Sequence, residues 1–179
     1  MASQQEGKKF SYAFQDSPEP ETIAVLGQVP GRWGRMPPLC RAVVVEAGRA
    51  LRDAGLVAEK RSLAAKGKNV GLIGASRRGS LTTDLDFSAT MASKPALASP
   101  ALFGYTLANI ALAEAASHFG LIGPVYAVFA KENPLALAEQ EAERLLATDK
   151  NLSLMLACEF DHFDHDGQMK LFVTFTTVY

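Results

Sequence analysis

Apolar residues recur at helical spacing in three stretches of this chain. In the clearest stretch Leu39, Val43 and Ala47 share one face, and Pro37 suits a helix start while Gly55 suits its end. The spacing predicts an amphipathic helix over residues 37–55. Its charged positions are expected to face away from the apolar stripe, namely Arg41, Glu46, Arg49 and Asp53.

Three further helices are predicted, the first two from the same periodicity. One long helix should cover residues 100–118 and end before Gly120. Another should follow Asn133, which suits an N-cap, with Pro134 in the first position. A short helix should open near Thr82, with an acidic residue in its first turn.

Strand patterns lie between these helices. Buried strands are predicted at residues 69–75, 125–130 and 152–158, and weaker strand patterns occur at 10–14 and 22–29. After a polar turn at 163–168, the alternation from Met169 to Phe175 predicts a half-buried strand, antiparallel to its neighbour.

The alternation of strands with crossover helices predicts the α/β class. Parallel βαβ connections are the natural way to join such elements. We therefore expect a mixed, mostly parallel sheet flanked by helices, with an antiparallel C-terminal strand. The chain has 179 residues and is expected to form a single domain over residues 1–179.

Composition and charge narrow the possible partners. Hydrophobic residues make up 48% of the chain and the formal charge is −1, with Lys and Arg scattered along it. This argues for a globular protein that binds no nucleic acid. No leader and no membrane span are expected, and Cys40 and Cys158 suit buried free thiols, so a cytoplasmic location is predicted.

Short sequence blocks follow one another in the order of a known enzyme family. From Arg35 to Cys158 the chain resembles the N-terminal half of β-ketoacyl synthases. These are thiolase-fold enzymes that condense acyl chains carried on acyl carrier protein or coenzyme A. The resemblance rests on Arg35-Met36, Val70-Gly71-Leu72-Ile73-Gly74, Gly79-Ser80-Leu81, Ser99-Pro100-Ala101-Leu102-Phe103 and Phe119-Gly120-Leu121-Ile122-Gly123-Pro124-Val125-Tyr126.

The resemblance implies a site at the end of the strand that follows Gly123-Pro124. In the family a cysteine lies there, at the start of a helix whose positive end lowers the pKa of the thiol. Here that position falls on Glu132, and a shift by one residue gives Lys131 or Asn133. The two family histidines come from the second half of the enzyme, beyond the residues that match. We therefore expect no catalytic residue and no cofactor.

Glu132 has more than one interpretation at this position. The simplest is structural, because a carboxylate is favoured near a helix N-terminus. Alternatively, Glu132 mimics an acyl-thioester partner or closes the vacated pocket. In a third hypothesis, Glu132 is the base of a small acyl-thioester-handling enzyme, either a decarboxylase or a hydrolase.

Other residues are candidates for contact with a carrier. Residues 74–80 follow a strand with the glycine spacing of a phosphate loop, but Ser80 stands where that loop needs a lysine, so the pattern favours a plain turn. Arg77 and Arg78 suit a phosphopantetheine group or an acidic carrier protein. Phe103 and Asn109 are the other predicted pocket or carrier contacts.

Ligand-type residues are clustered near the C-terminus. Asp161, His162 and His165 are weak candidates for a divalent metal site, together with Asp164 and Asp166. A polar hairpin tip is the favoured interpretation, because turns select Asp and Gly for backbone reasons. No metal is predicted.

A lone synthase-like half should hide apolar surface by association. The strand containing Tyr126, Val128 and Phe129 is predicted to form a dimer, either a homodimer or a heterodimer with a ketosynthase-like subunit, unless the C-terminal strand covers that edge. The predicted function is that of a non-catalytic accessory protein in fatty-acid or polyketide-type biosynthesis, which binds a condensing enzyme or an acyl carrier protein. A structural homodimer for an unrelated ligand is a further alternative.

Overall fold

A four-stranded sheet lies at the centre of the computed structural model, which describes residues 20–56, 62–93 and 98–179, apart from the side chains of Glu21 and Ser93. Its strands run in the order β2-β1-β3-β4. The first three are parallel to one another, and β4 is antiparallel to β3. The strands are β1 (Val70–Ser76), β2 (Val125–Phe129), β3 (Leu154–His165) and β4 (Gln168–Val178).

Six helices accompany the sheet in the described part of the chain. They are α1 (Pro20–Leu26), α2 (Pro38–Asp53), α3 (Leu81–Ser93), α4 (Pro100–Phe103), α5 (Ile110–Phe119) and α6 (Pro134–Thr148). Single 3-10 turns form at Trp33–Arg35 and Ala64–Lys66. None of these helices combines the length and apolar character that a membrane span needs.

The sheet separates two apolar cores. On one face α2 and α5 pack against β1 and β3, while α6 covers the other face. All seven residues of β1 are buried, as expected for a strand covered on both faces. Gly74 allows an unusually close approach here, because a Cβ atom at this position would lie 2.5 Å from Phe160 and 2.8 Å from Leu112 of α5.

The predicted fold class is confirmed, including the antiparallel C-terminal strand. The helix predicted to start at Pro37 and end before Gly55 is confirmed by α2, and Gly55 has a positive φ of 72°. Cys40 and Cys158 are buried free thiols, as predicted. The predicted strand at residues 10–14 lies outside the described residues.

Three predicted elements are wrong in type or extent. Residues 22–29 were expected to form a strand, but they lie largely in α1, whose Val25 and Leu26 are buried where α1 packs against α2. Tertiary contact here outweighs the strand preference of β-branched residues. The helix over residues 100–118 is instead two helices, since residues 104–109 form turns in which the Tyr105 side chain is buried.

The third error concerns the C-terminal hairpin. The predicted polar turn at 163–168 is much shorter, because β3 continues to His165 and pairs with β4 directly. Only Asp166 and Gly167 form the turn, with φ of 55° and 75°, the left-handed pair that a two-residue hairpin loop requires.

Smaller local predictions also need correction. Arg41 is 3% exposed rather than solvent-facing, with its guanidinium 5.4 Å from the ring centroid of Trp33. Asn133 precedes α6 as predicted, but its backbone is left-handed and its side chain makes no capping hydrogen bond. The strand at 125–130 is only half-buried, because β2 lies at an edge of the sheet.

Candidate functional site

Two loops meet at the carboxyl end of the parallel strands. Residues 77–80 connect β1 to α3, and residues 130–133 connect β2 to α6. The backbone N–H of Ala130 donates to the carbonyl of Ser76 at 3.1 Å, so the two loops start side by side. This end of a parallel sheet is where α/β proteins commonly place ligands.

The loop after β1 is organised by a buried carboxylate from β3. Asp161 is 2% exposed and accepts a hydrogen bond of 2.7 Å from the Ser76 hydroxyl. It also accepts backbone N–H groups from Arg77 at 3.2 Å and from Arg78 at 2.9 Å. The Ser76 oxygen in turn accepts the N–H of Gly79 at 2.6 Å.

These hydrogen bonds decide whether residues 74–80 can act as a phosphate-binding loop. In a phosphate loop the backbone N–H groups are open to the ligand. Here the N–H groups of Arg77, Arg78 and Gly79 are satisfied by Asp161 and Ser76. The Asp161 carboxylate therefore occupies N–H groups that a phosphate would need. The interpretation of residues 74–80 as a plain turn fits this arrangement.

The two arginine side chains of this loop extend over β3. Arg77 forms an ion pair with Glu159, and the Arg78 guanidinium lies 3.9 Å from the ring centroid of Phe163. Both side chains remain partly exposed. Their predicted contact with a phosphopantetheine group or a carrier protein stays a prediction.

Asp161, His162 and His165 are spread along β3 rather than gathered around one point. The ring of His162 is buried, and burial lowers its pKa against the opposing charge of Asp86. The His165 ring is exposed and lies 3.7 Å from Asp166. In the described part of the chain, no three His, Cys, Asp or Glu side chains lie close enough to hold a metal ion.

The loop after β2 is open by comparison. Lys131, Glu132 and Asn133 are all exposed, and Glu132 forms no hydrogen bond or ion pair within residues 20–56, 62–93 and 98–179. Asn133 has a φ of 46°, and α6 begins at the next residue. Glu132 therefore presents its carboxylate to solvent, and its place at the position of the family's cysteine stays a prediction.

The strand that leads to this loop has one free edge among the described residues. β2 pairs with β1 alone. Tyr126 and Val128 pack toward α6, where the Tyr126 hydroxyl donates to Glu141. Hydrogen bonds from Arg144 and Tyr126 lower the pKa of Glu141 to about 2. Phe129 is 74% exposed.

Phe103 and Asn109 flank the turns that divide α4 from α5. Phe103 is 63% exposed and its ring centroid lies 5.5 Å from that of Phe87. Asn109 is exposed and precedes α5 without a side-chain capping bond. The Ser80 hydroxyl donates to the carbonyl of Thr106, so this segment is attached to the loop after β1.

Both cysteines lie away from these loops. Cys40 is in α2 and Cys158 is in β3, paired with Gly74 and Phe175. Burial raises the pKa of each thiol well above its usual value. Neither cysteine therefore supplies a thiolate at the strand ends.

The anchoring role of Ser76 and Asp161 does not follow from the sequence pattern. The pattern predicts Asp161 as a turn residue or a weak metal candidate, but it lies between Phe160 and His162 in a buried part of β3. An acidic residue flanked by a core aromatic was the available signal. Its partners could not be identified from local pattern, because they lie on another strand.

Comparisons with known proteins agree with this architecture. The family described as β-ketoacyl synthase, N-terminal domain, matches residues 13–132, well over half of the chain. The solved structure of the ishigamide ketosynthase/chain length factor is similar at a TM-score of 0.62 and 19% identity, covering 80% of this chain and 45% of that one. The solved structure of a β-ketoacyl synthase from Burkholderia phymatum is similar at a TM-score of 0.57 and 14% identity. The similarity covers 86% of this chain and 35% of that one.

The chain thus spans less than half of the length of these two structures. No curated protein sequence matches it significantly.

Proposed function

Since this chain belongs to the β-ketoacyl synthase family through its N-terminal domain, we propose that it is a non-catalytic member that binds a ketosynthase-like subunit in fatty-acid or polyketide-type biosynthesis. The binding surface in this proposal is the free edge of β2 and the loop that follows it. A contact between an acyl carrier protein and Arg77 or Arg78 is a secondary part of the same proposal.

The observation that carries the proposal is the chemistry of the loop after β2. Lys131, Glu132 and Asn133 offer no thiol, and the two cysteines of the chain are buried elsewhere. A carboxylate cannot take the place of a thiolate that must accept and then release an acyl group by thioester exchange. Condensation through a covalent acyl-enzyme is therefore not expected from this loop.

The free edge of β2 supports a partner-binding role. The N–H of Leu72 donates to the carbonyl of Pro124, and the N–H of Ala130 donates to the carbonyl of Ser76. In a parallel pair this means that the backbone groups of the even-numbered residues of β2 face β1. The backbone groups of Ala127 and Phe129 then lie along the outer edge. An edge strand whose outer backbone groups have no partner among the described residues, and which carries an exposed aromatic side chain, is suited to strand pairing with a second subunit.

The test is capture of the tagged chain from an extract of the organism that encodes it, followed by mass spectrometry. We expect a β-ketoacyl synthase that carries the family cysteine. Phe129→Lys should abolish the capture, while Met169→Lys, an exposed residue at the opposite edge of the sheet, should not. Recovery of this chain alone, as a homodimer sensitive to Phe129→Lys, would favour the structural homodimer instead.

An acyl-thioester enzyme that uses Glu132 is the rival hypothesis. The exposed position of Glu132 argues against it, because a general base gains its reactivity from a desolvated, oriented setting. Malonyl and acyl thioesters incubated with the purified chain should show no turnover above background. Turnover that disappears in Glu132→Gln would replace our proposal with this one.

A further inference from the structure

A cavity beside α5 brings four polar side chains together. It has a volume of about 360 Å³ and is lined by Arg32, Arg35, Ala101, Gly104, Tyr105, Ile110, Ala113 and Glu114. This volume lies at the lower end of the range of small-molecule sites. None of these residues belongs to the two loops described above.

Glu114 is the buried centre of this cluster. Its residue is only 6% exposed, and one carboxylate oxygen accepts a hydrogen bond of 3.2 Å from Arg32 while the other accepts one of 3.2 Å from Tyr105. Burial and the nearby Glu114 raise the pKa of Tyr105 to about 12, so its hydroxyl stays a donor. Both oxygens of Glu114 are therefore engaged, which leaves the carboxylate little capacity to attract a cation.

The arginines carry the remaining charge of the cavity. Arg32 is held at one guanidinium nitrogen by Glu114, although its side chain is 63% exposed. Arg35 is exposed and has no carboxylate partner within the described residues. Two guanidinium groups against one carboxylate leave a formal excess of one positive charge. A guanidinium has five N–H donors, so an arginine held at one nitrogen by a carboxylate can still contact a carboxylate or phosphate with the others.

The rest of the lining is apolar. Ala101, Ile110 and Ala113 contribute aliphatic surface, and the ring of Tyr105 contributes an aromatic one. An ion alone would leave this surface without a partner, whereas a ligand with an apolar body would cover it.

We propose that this cavity binds a small organic anion with a short apolar body, with Arg35 and the Glu114-oriented Arg32 contacting its acidic group. The shared chemistry is a carboxylate or a phosphate ester. The proposal concerns the isolated chain and does not depend on a partner subunit, so it can fail while the proposed function stands.

Calorimetric titration with a matched set of probes tests the charge requirement. The set comprises 3-phenylpropionate, phenyl phosphate, 3-phenylpropan-1-ol, 3-phenylpropylammonium and inorganic phosphate. We expect binding of one or both organic anions, and much weaker binding of the alcohol, the cation and inorganic phosphate. Equal affinity for the alcohol and the acid would overturn the proposal, and so would the absence of binding by every probe at millimolar concentration.

Two variants tie any binding to this cavity. Arg35→Gln should weaken the anion at least about tenfold, since it removes a charge-assisted contact at an exposed position. Arg52→Gln, at an exposed arginine on α2, is the matched control and should leave the affinity unchanged. Ala113→Leu should block binding by filling the cavity, and its circular dichroism spectrum checks that the fold is kept. Undiminished binding by both cavity variants would place the anion elsewhere.

Discussion

The loop after β1 and the loop after β2 both lead from the carboxyl end of a parallel strand into a helix. In the first, the backbone N–H groups of Arg77, Arg78 and Gly79 are satisfied by Asp161 and Ser76. In the second, Lys131, Glu132 and Asn133 are exposed, and the flanking Ala130 supplies one hydrogen bond to β1. Similar topology thus produces one closed loop and one open loop.

This contrast shows where the chain can still interact with another molecule. A loop whose backbone N–H groups at Arg77, Arg78 and Gly79 are satisfied internally offers a ligand only its side chains. The second loop leaves the carboxylate of Glu132 and the ammonium group of Lys131 in solvent, beside the outer edge of β2. These two groups therefore contribute little to stability and are available to a partner. We therefore expect mutations in the first loop to change the free energy of unfolding and mutations in the second loop to change association.

Asp161→Ala should have the largest effect on stability. It leaves the Ser76 hydroxyl and two backbone N–H groups without their buried acceptor, which should cost about 3 kcal/mol or more of unfolding free energy. Urea denaturation measures this. Asp164→Ala, at an exposed residue that accepts one N–H from Gly167, is the control and should cost less than about 1 kcal/mol. Similar losses in both variants would remove the distinction.

Gly79→Ala should have the next largest effect. Gly79 has a φ of 62°, and an added Cβ would lie 3.3 Å from the Cβ of Ala108. A left-handed alanine costs about 1–2 kcal/mol, so the midpoint of urea unfolding should fall accordingly. Gly34→Ala, with no atom within 4 Å of the new Cβ, should stay near the wild-type value. An unchanged midpoint for Gly79→Ala would show that this loop tolerates rearrangement.

His162 should give a smaller, pH-dependent effect. Burial lowers its pKa in the folded protein below the ordinary value of 6.5, so the unfolded chain binds the proton more readily. Its contribution to stability is therefore complete above about pH 6.5 and is lost as the pH falls toward the folded pKa. The folded chain should therefore lose stability between about pH 7.5 and about pH 5.5.

Urea titrations of the wild type and of His162→Gln give the free energy of unfolding at each of the two pH values. The difference between the two values is the pH dependence of stability. The variant should show a flatter pH dependence than the wild type. His165→Gln, at an exposed ring, should keep the wild-type dependence. If His162→Gln kept the pH dependence of the wild type, the effect would belong to other groups.

Glu132→Gln should have the smallest effect on stability. Its exposed side chain forms no bond with the described residues, so the change in unfolding free energy should stay within about 0.5 kcal/mol. The same urea experiment applies, with Lys131→Gln as a neighbouring control. A cost above about 1 kcal/mol for Glu132→Gln would mean that the second loop is held as firmly as the first.

The elements that local periodicity specifies were predictable from sequence. The stripe through Leu39 and Val43 and the apolar run around Ile73 identified α2 and β1 because each has a single period. The break near Gly104 was not predictable, since the contacts of Tyr105 with Glu114 and of Thr106 with Ser80 hold it. Both depend on packing that no local pattern encodes.

The candidate site was predictable only in part, for a related reason. The position of Glu132 follows from the order of short motifs along the chain, and the structure places it in the exposed loop after β2. The role of Asp161 depends on partners in residues 76–78, on a strand that becomes its neighbour only after folding. Partners so far apart in the sequence can be identified only from the three-dimensional structure.

The missing side chain at Gly74 has a consequence for a distant part of the molecule. Phe160 of β3 and Leu112 of α5 occupy the space that a Cβ at this position would need, so α5 packs closer to β1 than a side chain there would allow. Glu114, which holds Arg32, lies on the same helix as Leu112. A larger residue at position 74 should therefore displace α5 and with it the carboxylate that orients Arg32.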